Sequence, residues 1–267
     1  MDETKNEALT PPPQAVPLAQ LMSQAAQALA EGEYARVTEL CEQALALDAQ
    51  NEHAWYLKAA AAEGEGKAEQ AVECLDHVRS APDLQPRATL LRGRLLFFLD
   101  RLDEAEQELA QATRLAPEQE LSYYLRGLLG LRRQRIIEAH KLFKQAVRLN
   151  PEFGPAQYEL GILALQQGEL AIALDHCAKA ATLLPEMPEA HNNLGLARQA
   201  SGDTAGAEAA FRRAVELQED YAEAWANLAL LLRTGDEAQR AESARCLVKA
   251  LALKPALKDL LPAEVLG

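Results

Sequence analysis

The chain has 267 residues, of which 49% are hydrophobic and 5% aromatic, a composition typical of an alanine- and leucine-rich helical protein with almost no strand. Its 27 basic and 40 acidic residues give a net charge of −13, which argues against a general nucleic-acid or anionic-membrane binder. No segment offers the run of about 18 uncharged apolar residues that membrane insertion requires.

The first segment, residues 1–17, reads "MDETKNEALTPPPQAVP" and is predicted to lie outside the fold. It has neither the cationic start nor the apolar run of a signal peptide, which favours a cytoplasmic protein. Its three consecutive prolines and polar neighbours predict an extended, flexible leader. We expect the first helix to begin near Leu18.

A helical pattern with a period of 34 residues follows. Its seven repeats start at Leu18, Glu52, Pro86, Glu120, Gly154, Pro188 and Ala222. Position 8 of each repeat is small: Ala25, Ala59, Gly93, Gly127, Gly161, Gly195 and Ala229. Glycine inside a helix costs about 1 kcal/mol relative to alanine, so these glycines predict crossings where a second helix comes close.

The turn inside each repeat has its own signal at position 15. Glycine, which favours the left-handed end of a helix, stands there in four repeats, as Gly32, Gly66, Gly168 and Gly202. Asp100 and Gln134 replace it in repeats three and four. Repeat seven fits only with two residues inserted after its first helix, which places Ser243, Leu247 and Ala250 in core positions.

This period and pattern resemble the tetratricopeptide repeat (TPR), a helix-turn-helix unit. The family's bulky position 24 and its proline at position 32 are matched by Leu75, Leu109, Phe143 and Phe211, and by Pro117, Pro151 and Pro185. The resemblance implies an all-α, right-handed superhelical solenoid of seven units over residues 18–255. Residues 256–267 would form a short C-terminal cap or tail.

Four cysteines, Cys41, Cys74, Cys177 and Cys246, are far apart and show no metal or redox spacing. Each falls in a second helix at or beside a core position, which predicts four reduced, structural thiols. The chain has no glycine-rich phosphate loop, no paired metal ligands and no nucleophile beside a base. We therefore expect no catalytic, cofactor-binding or metal-binding residues and no enzyme.

In the TPR family the concave surface is lined mainly by positions 2, 5, 6, 9, 12 and 13 of each first helix. The resemblance therefore implies these partner-binding residues: Tyr56, Leu90, Arg94, Phe97, Phe98, Tyr124, Leu128, Arg132, Tyr158, Ile162, Asn192, Asn193 and Asn227. Phe97, Tyr124 and Tyr158 are predicted apolar anchors. Arg94 and Arg132 would select acidic groups, because residues 86–151 contain 12 basic and 8 acidic residues.

Two features of this lining keep alternatives open. The position-6 leucines Leu57, Leu91 and Leu125 fit the groove or the core equally well, because adjacent helix positions are only about 100° apart. Asn193 and Asn227 resemble the asparagine ladders that hold an extended peptide backbone. The lysine and asparagine clamp of some chaperone-tail adaptors is absent from positions 5 and 9.

The leading hypothesis is a cytoplasmic adaptor that binds a peptide or helix of a partner protein in its groove. One alternative is a self-assembling scaffold. Only "ALKDLLPAEVLG" follows Pro255; its "ALKDLL" could form one or two amphipathic turns against the last helix pair, but Pro262 would end them early and leave that end poorly covered. Another is a regulatory subunit of an enzyme. The leader is also a candidate occupant of the groove.

Overall fold

A computed structural model describes residues 16–259, which form fourteen α-helices and one short 3-10 helix and contain no β-strand. Of the predicted leader, only Val16 and Pro17 are among the described residues, and the tail from residue 260 is not. The chain divides at Pro117 into two compact units, here called the N-terminal unit and the C-terminal unit.

The N-terminal unit contains three helix pairs: α1 (Leu18–Ala30), α2 (Tyr34–Leu47), α3 (Glu52–Gly64), α4 (Ala68–Leu75), α5 (Gln85–Phe98) and α6 (Leu102–Leu115). Each odd-numbered helix packs against the helix that follows it. Neighbouring pairs also touch, because α2 packs on α3, α4 packs on α5 and α1 packs on α3. The first helices α1 and α3 therefore lie side by side, and α5 lines a cleft with them.

The C-terminal unit contains four pairs: α7 (Glu120–Arg132), α8 (Ile136–Leu149), α9 (Gly154–Gln167), α10 (Leu170–Leu183), α11 (Pro188–Ala200), α12 (Thr204–Leu217), α13 (Ala222–Leu232) and α14 (Glu237–Leu253). The packing rule is the same, and the first helices α9, α11 and α13 contact one another in order. The predicted all-α fold of seven helix pairs is confirmed.

The small residues at position 8 lie where the two helices of a pair cross. A Cβ atom built on Gly161 would stand 2.7 Å from Cys177 Sγ, and one built on Gly195 would stand 2.5 Å from Phe211 Cε1. These separations are shorter than any van der Waals contact, so neither glycine has room for a side chain. The predicted close approach is confirmed.

The turn residues at position 15 are left-handed, as predicted. The four glycines have φ between 72° and 84°, and their replacements Asp100 and Gln134 have φ of 60° and 58°. The helical pattern continues across Gln134, since α7 ends at Arg132 and α8 begins at Ile136. The backbone geometry is therefore kept even where glycine is missing.

The last repeat departs from the others in its loop. Asp236 caps α14 through a reciprocal capping box with Gln239, which satisfies free amide groups at the helix start. Ser243 and Ala250 are buried as predicted, whereas Leu247 is only half-buried and its neighbour Cys246 is buried instead.

The first residues of the predicted C-terminal cap or tail pack on the last helix pair. Pro255–Asp259 forms the 3-10 helix, and Leu257, only 5% exposed, packs against Ala222, Ala226 and Ala250. Leu257 therefore joins the 3-10 helix to both α13 and α14. Within the described residues, no helix is long and apolar enough to cross a bilayer.

Candidate partner-binding surfaces

The first-helix face of the N-terminal unit carries an apolar cleft of about 620 Å³. Its walls come from α1, α3 and the start of α5, and the lining residues include Leu18, Met22, Tyr56, Leu57, Leu84 and Arg87. Tyr56 is half-buried in this wall, and burial raises the pKa of its phenol. This cleft is wide enough to accept apolar side chains.

Arg94, predicted to select acidic groups of a partner, is already paired within the chain. Its Nη2 donates a hydrogen bond to Glu63 Oε1, and both side chains are about one-third exposed. A partner's carboxylate would have to displace Glu63 before it could bind Arg94. The other predicted arginine, Arg132, is exposed at the end of α7.

Two of the predicted apolar contacts in α5 are buried. Leu90 is 7% exposed and Phe97 is 8% exposed, so neither side chain is an open anchor. The reason is helical spacing: both lie three or four residues from Gly93 and share its inward-facing stripe. Phe98, one residue further, is 71% exposed and makes an edge-on contact with Phe97, with ring centroids 5.6 Å apart.

In the C-terminal unit, Tyr124 stands at the edge of a hydrophobic cluster. Its ring makes an edge-on contact with Phe153 at 5.3 Å and a tilted contact with Phe143 at 5.8 Å between centroids. Burial, with a smaller effect of the neighbouring Glu159, raises the pKa of Tyr124 to about 12. The half-buried Leu128 packs against the same cluster.

The equivalent tyrosine of the next repeat, Tyr158, is also half-buried and packs on its own cluster. Burial raises the pKa of its phenol, and the charges of Glu159 and Glu189 raise it further. Its hydroxyl hydrogen-bonds the side chain of Asn193, which lowers that pKa in part. Ile162, one turn along α9, is half-buried as well.

The predicted asparagines pair with each other or with tyrosine. Asn227 Nδ2 donates to Asn192 Oδ1 at 2.8 Å, and Asn192 is only 5% exposed. Asn192 is therefore part of the packed interior and not an open contact. Asn193 and Asn227 remain half-buried, and each amide keeps donor or acceptor capacity beyond the bond it makes.

Sequence reasoning missed Glu159. It occupies position 6 of repeat five, the same position that drew attention to Asn193 and Asn227 in the next two repeats. Its carboxylate is half-buried, burial raises its pKa, and it makes no hydrogen bond or ion pair with any residue of 16–259. The sequence could have indicated Glu159 through its repeat position. Position 6 is leucine in repeats two to four and asparagine in repeats six and seven, so a glutamate in repeat five stands out.

Two family models match the sequence. One, described as the middle TPR-like domain of cilia and flagella-associated protein 70, matches residues 101–254, and a tetratricopeptide repeat model matches residues 28–91. The chain belongs to the tetratricopeptide repeat family. TPR proteins are generally non-catalytic modules that bind other proteins on the surfaces of their stacked repeats. No curated protein matches the sequence.

Solved structures show the same fold at low identity. A chain of the APC/C hetero-tetramer Cut9–Hcn1 is 18% identical with a TM-score of 0.68; the match covers 95% of this chain and 50% of that one. This TPR chain therefore spans about half the length of that relative. PilF of Pseudomonas aeruginosa is 19% identical with a TM-score of 0.69, covering 76% of this chain and 92% of that one.

A third solved structure is YrrB, described as a TPR protein with an unusual peptide-binding site. It is 19% identical with a TM-score of 0.55, covering 70% of this chain and 96% of that one. At these identities the likeness establishes the fold alone.

Proposed function

We propose that this TPR protein is a non-catalytic cytoplasmic adaptor that binds an extended or helical segment of a partner protein. The binding surface is the first-helix face of the C-terminal unit. Its contacts are Tyr124, Leu128, Tyr158 and Ile162, with Asn193 and Asn227 bonding the partner's backbone. In this proposal the chain consists of a leader over residues 1–17, seven repeats over residues 18–255 and a cap or tail over residues 256–267.

The observation that carries this proposal is the pair of half-buried tyrosines at position 5 of successive repeats. Tyr124 and Tyr158 each pack on a hydrophobic cluster and keep part of their surface exposed. Rigid aromatic side chains with a polar tip dominate the energetics of many interfaces, because they bury a large area at a low entropic cost. YrrB's peptide-binding site shows that a related fold can serve this purpose.

Four buried, unpaired cysteines fit the same proposal. Free thiols persist in a reducing compartment such as the cytoplasm. A chain of this kind would work as a scaffold on which partners assemble.

The proposal is tested by affinity capture from the source cell with the parent chain and with a Tyr124→Ala, Tyr158→Ala double variant. Losing an interface anchor typically costs 2 kcal/mol or more, so the double variant should lose its partner. Lys144→Ala, on an exposed part of α8, is the control. A double variant that melts like the parent and still captures the same partner would exclude this surface as the site.

Self-assembly is the second candidate, and exposed apolar side chains favour it. Phe98 is 71% exposed and Ile137 is 77% exposed, which is unusual for large hydrophobic residues. Light scattering over a concentration range tests it. An assembly that a Phe98→Ser, Ile137→Ser variant abolishes supports self-assembly, and a parent that stays monomeric excludes it.

A further inference from the structure

Glu159 lies among the aromatic residues of the proposed binding surface. It directly follows Tyr158 in α9 and lies between Ala156 and Leu160, two members of the hydrophobic cluster on which Tyr124 packs. Its charge raises the pKa of both tyrosines. The charge of a second carboxylate, Glu189, raises the pKa of Tyr158 and of Tyr221. The surface thus combines tyrosine rings with two carboxylates in one unit.

Neither carboxylate has a counter-ion among the described residues. Residues 152–221 contain 4 basic and 11 acidic residues, the reverse of the basic balance in residues 86–151. All four cations are paired elsewhere: Lys179 with Asp175, Arg198 with Asp203, Arg212 with Glu208 and Glu242, and Arg213 with Glu186 and Glu216.

A further carboxylate whose charge acts on Tyr221, that of Glu223, is already neutralised. Glu223 accepts a hydrogen bond from Lys254 Nζ at 2.5 Å. Glu159 and Glu189 therefore remain as the unpaired negative charges of this aromatic surface. An unpaired, half-desolvated carboxylate is destabilising by itself and gains strongly from a cation that arrives from outside.

We propose that the C-terminal unit selects a partner segment carrying an arginine or lysine side chain, which pairs with Glu159 beside the rings of Tyr124 and Tyr158. The carboxylate supplies a charge-assisted hydrogen bond, and the tyrosine rings attract the cation through their electron-rich faces. Asn193, half-buried at the equivalent position of the next repeat, offers its amide group to the partner's backbone. This inference rests on the proposed adaptor function and specifies that the bound segment carries a positive charge.

The test uses a phage-displayed library of random peptides, selected against the full chain and against Glu159→Gln. Glutamine keeps the size of glutamate and one acceptor oxygen but removes its charge. Glu152→Gln, an exposed carboxylate of the same unit, removes the same charge from another place and is the matched control. The parent and Glu152→Gln should enrich peptides with a basic residue, and Glu159→Gln should lose that bias.

A peptide selected in this way is then used to measure how much Glu159 contributes to binding affinity. In fluorescence anisotropy, Glu159→Gln should weaken its binding by about tenfold to a hundredfold, which is the range for losing a hydrogen bond to a charged group. Replacing the peptide's basic residue with norleucine should weaken binding to the parent equally and have little further effect on Glu159→Gln. High salt should reduce binding to the parent more than to the variant.

The outcomes separate the two proposals. A parent that enriches apolar peptides without basic residues overturns the cationic selectivity and leaves the adaptor function standing. A parent that enriches no peptide overturns both. Concentration-dependent light scattering of the parent that Glu159→Gln abolishes would make the occupant a second copy of this chain, and that result would overturn the assignment to a partner.

Discussion

The ring of Phe143 lies directly against the backbone of Gly127, because a Cβ atom built on Gly127 would stand 2.4 Å from Phe143 Cε1. Gly195 and Phe211 repeat this relationship two repeats later, at 2.5 Å. Both phenylalanines are fully buried. The smaller Cys41 at position 24 shares its core cluster with Ala25 at position 8, whereas Cys177 at position 24 stands against Gly161.

This packing predicts that Gly127→Ala destabilises the protein. Alanine gains about 1 kcal/mol of helix propensity, but its methyl group must displace a ring that has no space to move, which costs roughly 1–3 kcal/mol. Gly161→Ala should be milder, since its neighbour Cys177 is smaller. Denaturant unfolding measures both. A Gly127→Ala variant that is more stable than Gly161→Ala would contradict the argument.

The left-handed turn at Gln134 predicts that Gln134→Gly stabilises the protein by about 1 kcal/mol, because a residue with a Cβ atom pays for a positive φ and glycine does not. Asp100→Gly should gain less, since aspartate tolerates this conformation better. Arg133→Gly is the control: its φ is −94°, so glycine there relieves no strain and should lower the melting temperature. A loss of stability in Gln134→Gly would show that the positive φ of Gln134 does not strain the backbone.

Buried thiols should react slowly in the native protein. Cys41 and Cys177 are at most 2% exposed, and burial raises the pKa of Cys41 to about 11 and of Cys177 to about 12. Almost no reactive thiolate is present at neutral pH. Labelling should be slow in the native chain and fast in denaturant, while a Lys144→Cys variant should show one fast native thiol. Fast native labelling of Cys41 or Cys177 would show that these positions open.

Leu257 is expected to hold the C-terminal end. Leu257→Ala should lower the free energy of unfolding by about 2 kcal/mol, because it empties a position packed against α13 and α14. Leu253→Ala is the matched control, since Leu253 is 41% exposed and its loss should cost little. Equal stability of the two variants would mean that the 3-10 helix does not protect this end.

His176 predicts a pH dependence of stability. Its Nδ1 lies 2.6 Å from Gln157 Oε1, and burial lowers its pKa below the ordinary value of about 6.5. The unfolded state then binds the proton more readily than the folded state does. The contribution of neutral His176 to the free energy of unfolding is therefore complete above about pH 6.5 and is lost as the pH falls through the lowered pKa of the folded state. The stability difference between parent and His176→Asn should shrink from pH 7 to pH 5. A constant difference would contradict the shift.

Local physics explains why the sequence by itself determined the helix pairs of this TPR protein. The small residues at position 8, the left-handed turn residues at position 15 and the apolar stripe each report a requirement within one repeat. Those requirements are met by neighbours a few residues away, so they can be recognised without the fold. Even Gln134 is identified by its place in the series, because the backbone needs the same turn there.

Only the tertiary structure decided which side chains of the first-helix face are available to a partner. Arg94 is paired with Glu63, 31 residues away, and Asn227 with Asn192, 35 residues away. Glu159, by contrast, has no such partner among the described residues, because each of the four cations of residues 152–221 pairs with another carboxylate. Exposure and charge pairing depend on groups from neighbouring repeats, and a periodic pattern contains no information about which of several possible partners each side chain takes.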